Sequence, residues 1–239
     1  MESTLKRLGG VLLFQGLSEK EIGAILEAGQ SLRISEGNFL FYQGDPAEYL
    51  FVLMTGRMKL GQTTPDGQEI ILNMIGPWEM FGLIAFTEGG IYPIAAQAIV
   101  DCEAIRWSHT TLQRLAKETP ALALNAMQLM AERVQDFQDR IRELSTERVE
   151  RRLARVLLRL VRQVGKKSDA GVLIDLPLTR QNLAEMSGTT LFTVSRILSQ
   201  WDRQGLVQIG RERVTIRFPH GLVQIAEDIP ASSPDTQSE

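Results

Sequence analysis

The alternation of apolar and polar positions changes character twice along the chain. Near the start, Ile22, Ile25 and Leu26 fall at helical intervals behind Ser18, a residue type that caps helix N-termini through its hydroxyl. From Ser31 to Trp107 the apolar runs become short and strand-like. Asn38–Tyr42, Tyr49–Met54, Arg57–Leu60 and Glu69–Ile75 are separated by Gly44-Asp45-Pro46, Thr55-Gly56 and Pro65-Asp66-Gly67, and Ile94–Ile105 supplies one or two closing strands. Short strands with regular turn residues predict an antiparallel barrel or jelly roll rather than a parallel sheet.

The helical interval returns at Thr119-Pro120, threonine as N-cap and proline at the first helical position. Ala123, Met127, Met130, Val134, Phe137, Ile141 and Leu144 then alternate at spacings of four and three. That is the a/d seam of a coiled coil, and the charged or polar Gln135, Asp136, Asp139, Arg140, Arg142 and Glu143 surround it. So narrow a stripe predicts a homodimer, with Met127, Met130, Val134, Phe137, Ile141 and Leu144 as its contacts. Ser145 or Thr146 is expected to cap a further helix carrying Val149, Leu153, Val156, Leu157, Leu160 and Val164, ended by Gly165 and Lys166-Lys167. Arg151, Arg152, Arg155, Arg159 and Arg162 spread around that helix without forming one stripe. The segment after Ile229, rich in Ser, Pro and Asp, is expected to be disordered.

The most informative stretch is Leu178–Gly205. Thr179 caps a short helix over Arg180–Met186, Gly188 marks a tight turn, and Thr189 or Thr190 opens a second helix that ends before Gly205. Ala184 is small where two crossing helices approach, and Leu183, Val194, Ile197 and Leu198 supply a shared core. Leu206–Ile209 and Arg213–Arg217 flank Gly210-Arg211-Glu212 and predict a hairpin wing, from which Arg211 and Arg213 reach phosphates. The pattern is a winged helix-turn-helix that presents its second helix to a major groove.

Composition narrows the classes. The 239 residues are 44% hydrophobic and 23% charged, which fits one or two globular domains. No apolar run approaches the roughly 18 residues of a membrane span, and no signal-peptide pattern opens the chain, so a cytoplasmic protein without membrane contact is expected. The net charge of −3 is uneven: Arg148–Arg217 holds 14 Lys and Arg against 6 Asp and Glu. That local balance of +8 reads either as a polyanion footprint or as solvated helix faces. One cysteine, Cys102, excludes an intrachain disulfide, a Cys-rich zinc site and a cysteine-ligated cluster within one chain.

In the order of these segments, from the glycine-punctuated barrel to TRQNLAEMSGTTLFTVSRIL, the chain resembles the Crp/Fnr family. The resemblance implies an α+β protein: a cyclic-nucleotide-binding-type jelly-roll β-barrel (1–118), a dimerisation helix (119–145), a winged helix-turn-helix (146–219) and a C-terminal extension (220–239). It implies a DNA-binding transcription regulator on a pseudo-palindromic operator, with RNA polymerase as a partner. Thr179, Arg180 and Gln181 would hold phosphates; Thr190, Leu191, Phe192, Ser195 and Arg196 would face the groove, Arg196 reaching a guanine edge. Familiar members carry glutamate where Phe192 stands, and phenylalanine can only touch a thymine methyl, so a different half-site is expected.

The same resemblance bears on the effector. Where the cyclic-AMP branch has a glutamate and an arginine–hydroxyl pair, this chain has Leu83 and Tyr92-Pro93, which argues against cyclic AMP. Met74, Gly82, Leu83, Ile84, Phe86, Tyr92, Met130, Val134, Phe137 and Gln138 outline either an apolar effector cavity or a filled core. Arg133 and Arg140 could reach an acidic effector or simply be solvated. YPIAA, TERVERRLARVLLRLVRQ and GTTLFTVSRILSQW look like the branch that responds to nitrogen oxides, some of whose members are proposed to carry haem. Here His109 and His220 read as exposed bystanders, Met74 and Tyr92 are further possible ligands, and Cys102 reads as a buried strand residue. An iron–sulfur cluster is excluded, since it needs four thiolates. A regulator that binds DNA without any effector is the alternative; an interaction scaffold leaves the wing and Arg196 unused. A jelly-roll metal enzyme finds no histidine in the barrel before His109, so neither metal site nor catalytic residue is expected.

Overall fold

The computed structural model describes residues 7–65, 67 and 69–229, so the expectation for the tail beyond Ile229 lies outside the described residues. The chain divides into two compact units, Met1–Ile141 and Arg142–Glu239.

The first unit is a two-sheet jelly roll. Strands β1 (Gln30–Ile34), β8 (Cys102–Ser108), β3 (Tyr49–Thr55) and β6 (Met80–Phe81) make one sheet in that order. Strands β2 (Phe39–Phe41), β7 (Ala95–Ala98), β4 (Met58–Thr63) and β5 (Glu69–Ile75) make the other, and every pairing is antiparallel. Strand β3 buries four consecutive residues, Leu50–Leu53, because its two faces meet different layers. Leu50 and Val52 join a cluster under the helices, whereas Phe51 and Leu53 join the cluster between the sheets.

Helix α1 (Glu19–Glu27) opens on a capping box in which Ser18 accepts from the Glu21 N–H and the Glu21 carboxylate accepts from the Ser18 N–H. The Trp107 indole donates to Ile25 O at 2.7 Å and ties this helix to the barrel. Helix α2 (His109–Glu118) leads into α3 (Pro120–Thr146). Leu122, Ala126 and Leu129 of α3 are buried in the cluster under the helices, while the Asn125 amide donates to Leu13 O and Gln15 O. Ser145 and Thr146 do not cap the next helix. The Thr146 hydroxyl donates back to Arg142 O within α3, and the break falls at Arg148, whose extended backbone precedes α4 (Val149–Val164) without a side-chain cap.

The second unit packs α4 against α7 (Pro219–Glu227) and against the helix-turn-helix of α5 (Arg180–Ser187) and α6 (Leu191–Arg203). The apolar residues read from the sequence are the core: Leu153, Val156, Leu157, Leu160 and Val164 are buried with Leu183, Val194, Ile197 and Leu198. Gly165 and the lysines do more than stop a helix. They form β9 (Gly165–Ser168), which pairs with β10 (Gly171–Ile174), and the wing strands β11 (Val207–Gly210) and β12 (Arg213–Ile216) complete a sheet in the order β11-β12-β10-β9. The wing is therefore the edge of a four-stranded sheet rather than a lone hairpin. Such a hairpin would be marginal in water, and the added strands give it a packed face.

Candidate nucleic-acid interface and barrel interior

Thr179 caps α5 through a reciprocal box: its hydroxyl accepts from the Asn182 N–H at 3.0 Å, and Asn182 Oδ1 accepts from the Thr179 N–H at 3.0 Å. The N–H groups of Arg180 and Gln181 have no intrahelical partner, which leaves donors for an anion. Gln181 donates from its amide to Glu185 at 2.8 Å, so its side chain is held along its own helix. Gly188 closes α5 at φ 62, the left-handed region that favours glycine, and Thr190 caps α6 by accepting from the Thr193 N–H.

On α6 the two faces separate cleanly. Val194, Ile197, Leu198 and Trp201 are buried, whereas Phe192, Arg196 and Ser199 are exposed and Ser195 is half-buried beside them. Phe192 is 78% exposed. A cleft of about 450 Å³ lies between the start of α5, the first turn of α6 and the wing. Thr179, Arg180, Gln181, Leu191, Arg211 and Arg213 line it together. Thr190, Phe192, Ser195 and Arg196 do not line the cleft; they lie on or at the start of the adjoining helix. The wing turns at Arg211-Glu212 with Glu212 at φ 53, and Arg211 and Arg213 are both exposed.

The charge of this unit is less uniform than its count. Arg155 pairs with Glu147 and Glu227, Arg159 with Glu143, and Arg151 approaches Glu147 and Asp228. All four carboxylates lie outside the 148–217 window, so the local excess of +8 overstates what reaches solvent. Arg180, Arg196, Arg211 and Arg213 form no ion pair with any described residue. The electrostatic footprint thus concentrates on the cleft and the exposed face of α6. Sequence reasoning missed Arg152, which donates from Nε to Ser187 O at 2.9 Å and from Nη2 to Gly188 O at 3.1 Å, holding the turn between α5 and α6.

In the barrel, the ten residues outlined as an effector site are divided between different packing environments. Leu83 is buried in the helix-side cluster, with Phe86 and Met130 packed against it. Tyr92 is buried in the intersheet cluster, with Ile84 packed against that one. Met74 is buried on β5, while Val134, Phe137 and Gln138 are exposed on α3. Gly82 stands at φ 82, and a Cβ there would come 2.8 Å from Tyr49 O, so the glycine serves a close approach to β3. Tyr92 fills its own position: its ring stacks on Phe41 at 3.7 Å between centroids, with Phe51 and Phe81 beyond. Its hydroxyl donates to Tyr49 O at 2.6 Å and accepts from the Tyr49 N–H at 3.0 Å.

Burial pushes the Tyr92 hydroxyl up to about 12 from its usual 10.0. The folded chain holds this proton longer than the unfolded one, so the associated stability is complete below pH 10.0 and is lost as pH rises through about 12. Tyr92→Phe is expected to cost about 1 kcal/mol at pH 8 through the lost hydrogen bonds, and to make the alkaline decline shallower. Denaturant unfolding at pH 8 and pH 11 measures both.

His109 is not an exposed bystander. It is half-buried at the first position of α2, its Nδ1 2.7 Å from Ala85 O, which ties α2 to the Leu83–Phe86 turn. His220 is exposed beside Gln224. Cys102 is buried in β8, with its Sγ against Arg57 O and Val100 O, and burial pushes its thiol up. Among the described residues no helix is long and apolar enough to cross a membrane.

Comparison with known proteins gives matches to both units. A Crp-like helix-turn-helix domain matches residues 151–225, and a cyclic nucleotide-binding domain matches residues 31–119. A cyclic AMP receptor protein of Thermus thermophilus is 31% identical over 217 residues, covering 91% of this chain and 97% of that one. A CRP-like cAMP-activated global transcriptional regulator of Mycobacterium tuberculosis is 25% identical over 226 residues, covering 95% and 100%. Among solved structures, the Thermus thermophilus catabolite activator protein matches with a TM-score of 0.54 at 31% identity, covering 91% of this chain and 99% of that one. FixK2 from Bradyrhizobium japonicum shares the fold, with a TM-score of 0.72 at 24% identity over 86% and 99%.

Proposed function

The chain belongs to the Crp/Fnr family of DNA-binding transcription regulators, and from that premise we propose that it acts as a cytoplasmic homodimer on a pseudo-palindromic operator, with no catalytic role. Two copies pair along the seam of α3, where Met127, Val134, Phe137, Ile141 and Leu144 are exposed in the single chain. Each copy inserts α6 into a major groove. The N–H groups at the start of α5, with Arg180, Arg211 and Arg213, hold the phosphates on either side. Phe192, Ser195 and Arg196 read base edges, Arg196 a guanine and Phe192 a thymine methyl. RNA polymerase is a partner by family resemblance.

The observation that carries this reading is the exposed face of α6, joined to a cleft whose arginines have no acidic partner among the described residues. Selection from random duplex DNA tests it. The expected product is a two-fold symmetric motif with half-sites about one helical turn apart; an asymmetric single site would overturn the dimer.

In this reading cyclic AMP is not the effector. At the position where the cyclic-AMP branch holds phosphate, Tyr92 is stacked on Phe41 and hydrogen-bonded to Tyr49, and Leu83 lies in the core without a polar group to offer. Millimolar cyclic AMP is expected to leave the melting temperature unchanged, whereas a ligand at a hundred times its Kd would add about 2.7 kcal/mol. A rise of several degrees would reject this. The packing of Tyr92 and Leu83 also supports a second reading, in which the dimer binds DNA without an effector. Full operator affinity after removal of small molecules supports that second reading; a loss restored by a cell extract supports a small effector other than cyclic AMP.

A further inference from the structure

The polar groups of α5 are not all accounted for by the cleft. Thr179, Arg180 and Gln181 line that space at the start of the helix, whereas Glu185 stands in its last turn. Three physical arguments run against a carboxylate there. An acid near the C-terminal end of a helix opposes the macrodipole. A negative charge on a unit that binds a polyanion weakens the attraction. Glu185 Oε2 is also withdrawn from solvent without a hydrogen-bond partner, an unfavourable state for an acceptor. No cation offsets these effects, since among the described residues Glu185 forms no ion pair.

The Glu185 side chain has one hydrogen-bond partner among the described residues, Gln181. Its Oε1 accepts from Gln181 Nε2 at 2.8 Å, across the four-residue interval that places side chains on one helix face. Gln181 is itself exposed and lines the cleft with Arg180, Arg211 and Arg213. A half-turn of a glutamine amide exchanges Nε2 for Oε1, so an unheld amide presents either a donor or an acceptor to the same point. Beside a phosphate only the donor binds. A carboxylate accepts and does not donate, so Glu185 holds the Nε2 end and leaves the second hydrogen of that atom for a further acceptor.

We infer that Glu185 is a positioning residue for DNA binding: it touches no DNA itself, and it fixes the Gln181 amide with a donor toward one backbone phosphate of the half-site. The inference rests on the DNA-binding reading but not on the dimer, because both residues and the cleft lie within Arg142–Glu239. The amide is set before the duplex arrives, so less side-chain freedom is lost on binding. The effect belongs to one phosphate contact, which separates it from the general charge of the unit.

The test uses full-length protein and its selected operator, in duplexes that replace one half-site phosphate at a time by an uncharged methylphosphonate. The phosphate whose replacement weakens wild type but not Gln181→Ala is the one Gln181 holds. Wild type is expected to lose about tenfold there, the size of one charge-assisted hydrogen bond. Glu185→Ala is expected to lose no more than about threefold on that replacement, and to respond as wild type does to every other. Glu185→Gln keeps an acceptor for Gln181 Nε2 and should still lose about fivefold or more. Both variants shed a negative charge and should bind non-operator duplex about twofold more tightly, so the difference between them isolates the hydrogen bond. Glu185→Leu takes the place of Glu185→Ala should the latter fail to fold. A full tenfold loss at that phosphate in Glu185→Ala overturns the proposal. So does a variant weakened by the same factor on every duplex, that one included, as a merely structural role would give. A wild type in which no phosphate depends on Gln181 overturns it with DNA binding intact. A wild type that selects no duplex removes the DNA-binding reading and the proposal with it, so the two failures are distinguishable.

Discussion

A protein carrying Phe137→Asp and Ile141→Asp is expected to sediment as a monomer and to bind its operator about three orders of magnitude more weakly, because two linked half-site contacts become independent ones. Phe137 and Ile141 are 52% and 65% exposed on the single chain, one helical turn apart. Covering such side chains contributes about 1.5–3 kcal/mol each when burial is complete, and a seam of them in two copies exceeds the cost of association. Aspartate removes that gain and sets like charges against each other across the two-fold axis. The barrel should be unaffected, because a different stripe of α3, Leu122, Ala126 and Leu129, holds it. Sedimentation velocity, operator titration and the melting curve of the variant together check the expectation. A dimeric variant with full affinity would show that α3 does not carry the pairing.

The second large effect is expected at Phe192. Phe192→Glu should change the base selected at one position in each half-site, from thymine toward the cytosine whose amino group glutamate accepts, with about 1–3 kcal/mol of discrimination at that position. The matching experiment keeps the protein and changes the DNA: replacing that thymine by uracil removes only the methyl group and should weaken wild-type binding several-fold, while leaving Phe192→Glu unaffected. Identical motifs selected by wild type and variant would show that Phe192 reads no base. Its exposure makes the substitution safe for folding, since nothing in the core depends on it.

Three elements show how far local patterning reaches. The helix-turn-helix was legible almost residue by residue, because each boundary rests on a short-range device: the Thr179 box, the Gly188 turn and the Thr190 cap. The end of α3 was misread, since Ser145 and Thr146 are good caps by type but Thr146 bonds backward to Arg142 O instead. Strands β9 and β10 were missed for another reason. Gly165-Lys166-Lys167 carries no strand pattern, and its pairing is set by β10, which β12 in turn holds in register. Arg152 gave no signal either: a helix arginine is ordinarily solvated, and only the crossing of α4 with the turn at Gly188 adds two distant carbonyls to the nearby Glu147 O.

The sequence by itself determined the order of the parts: a barrel, a long seam-bearing helix and a winged helix. Those follow from periodicity, turn chemistry and motif, all of which act over a few residues. What only the tertiary structure decided is how distant groups meet. It put Tyr92 onto Phe41 and the Tyr49 backbone, split the outlined effector residues between two clusters, and drew the acids at 143, 147, 227 and 228 around the arginines of α4. The physical reason is common to all three. Burial and ion pairing depend on which surfaces face each other after packing, and no local pattern encodes the partner of a side chain a hundred residues away.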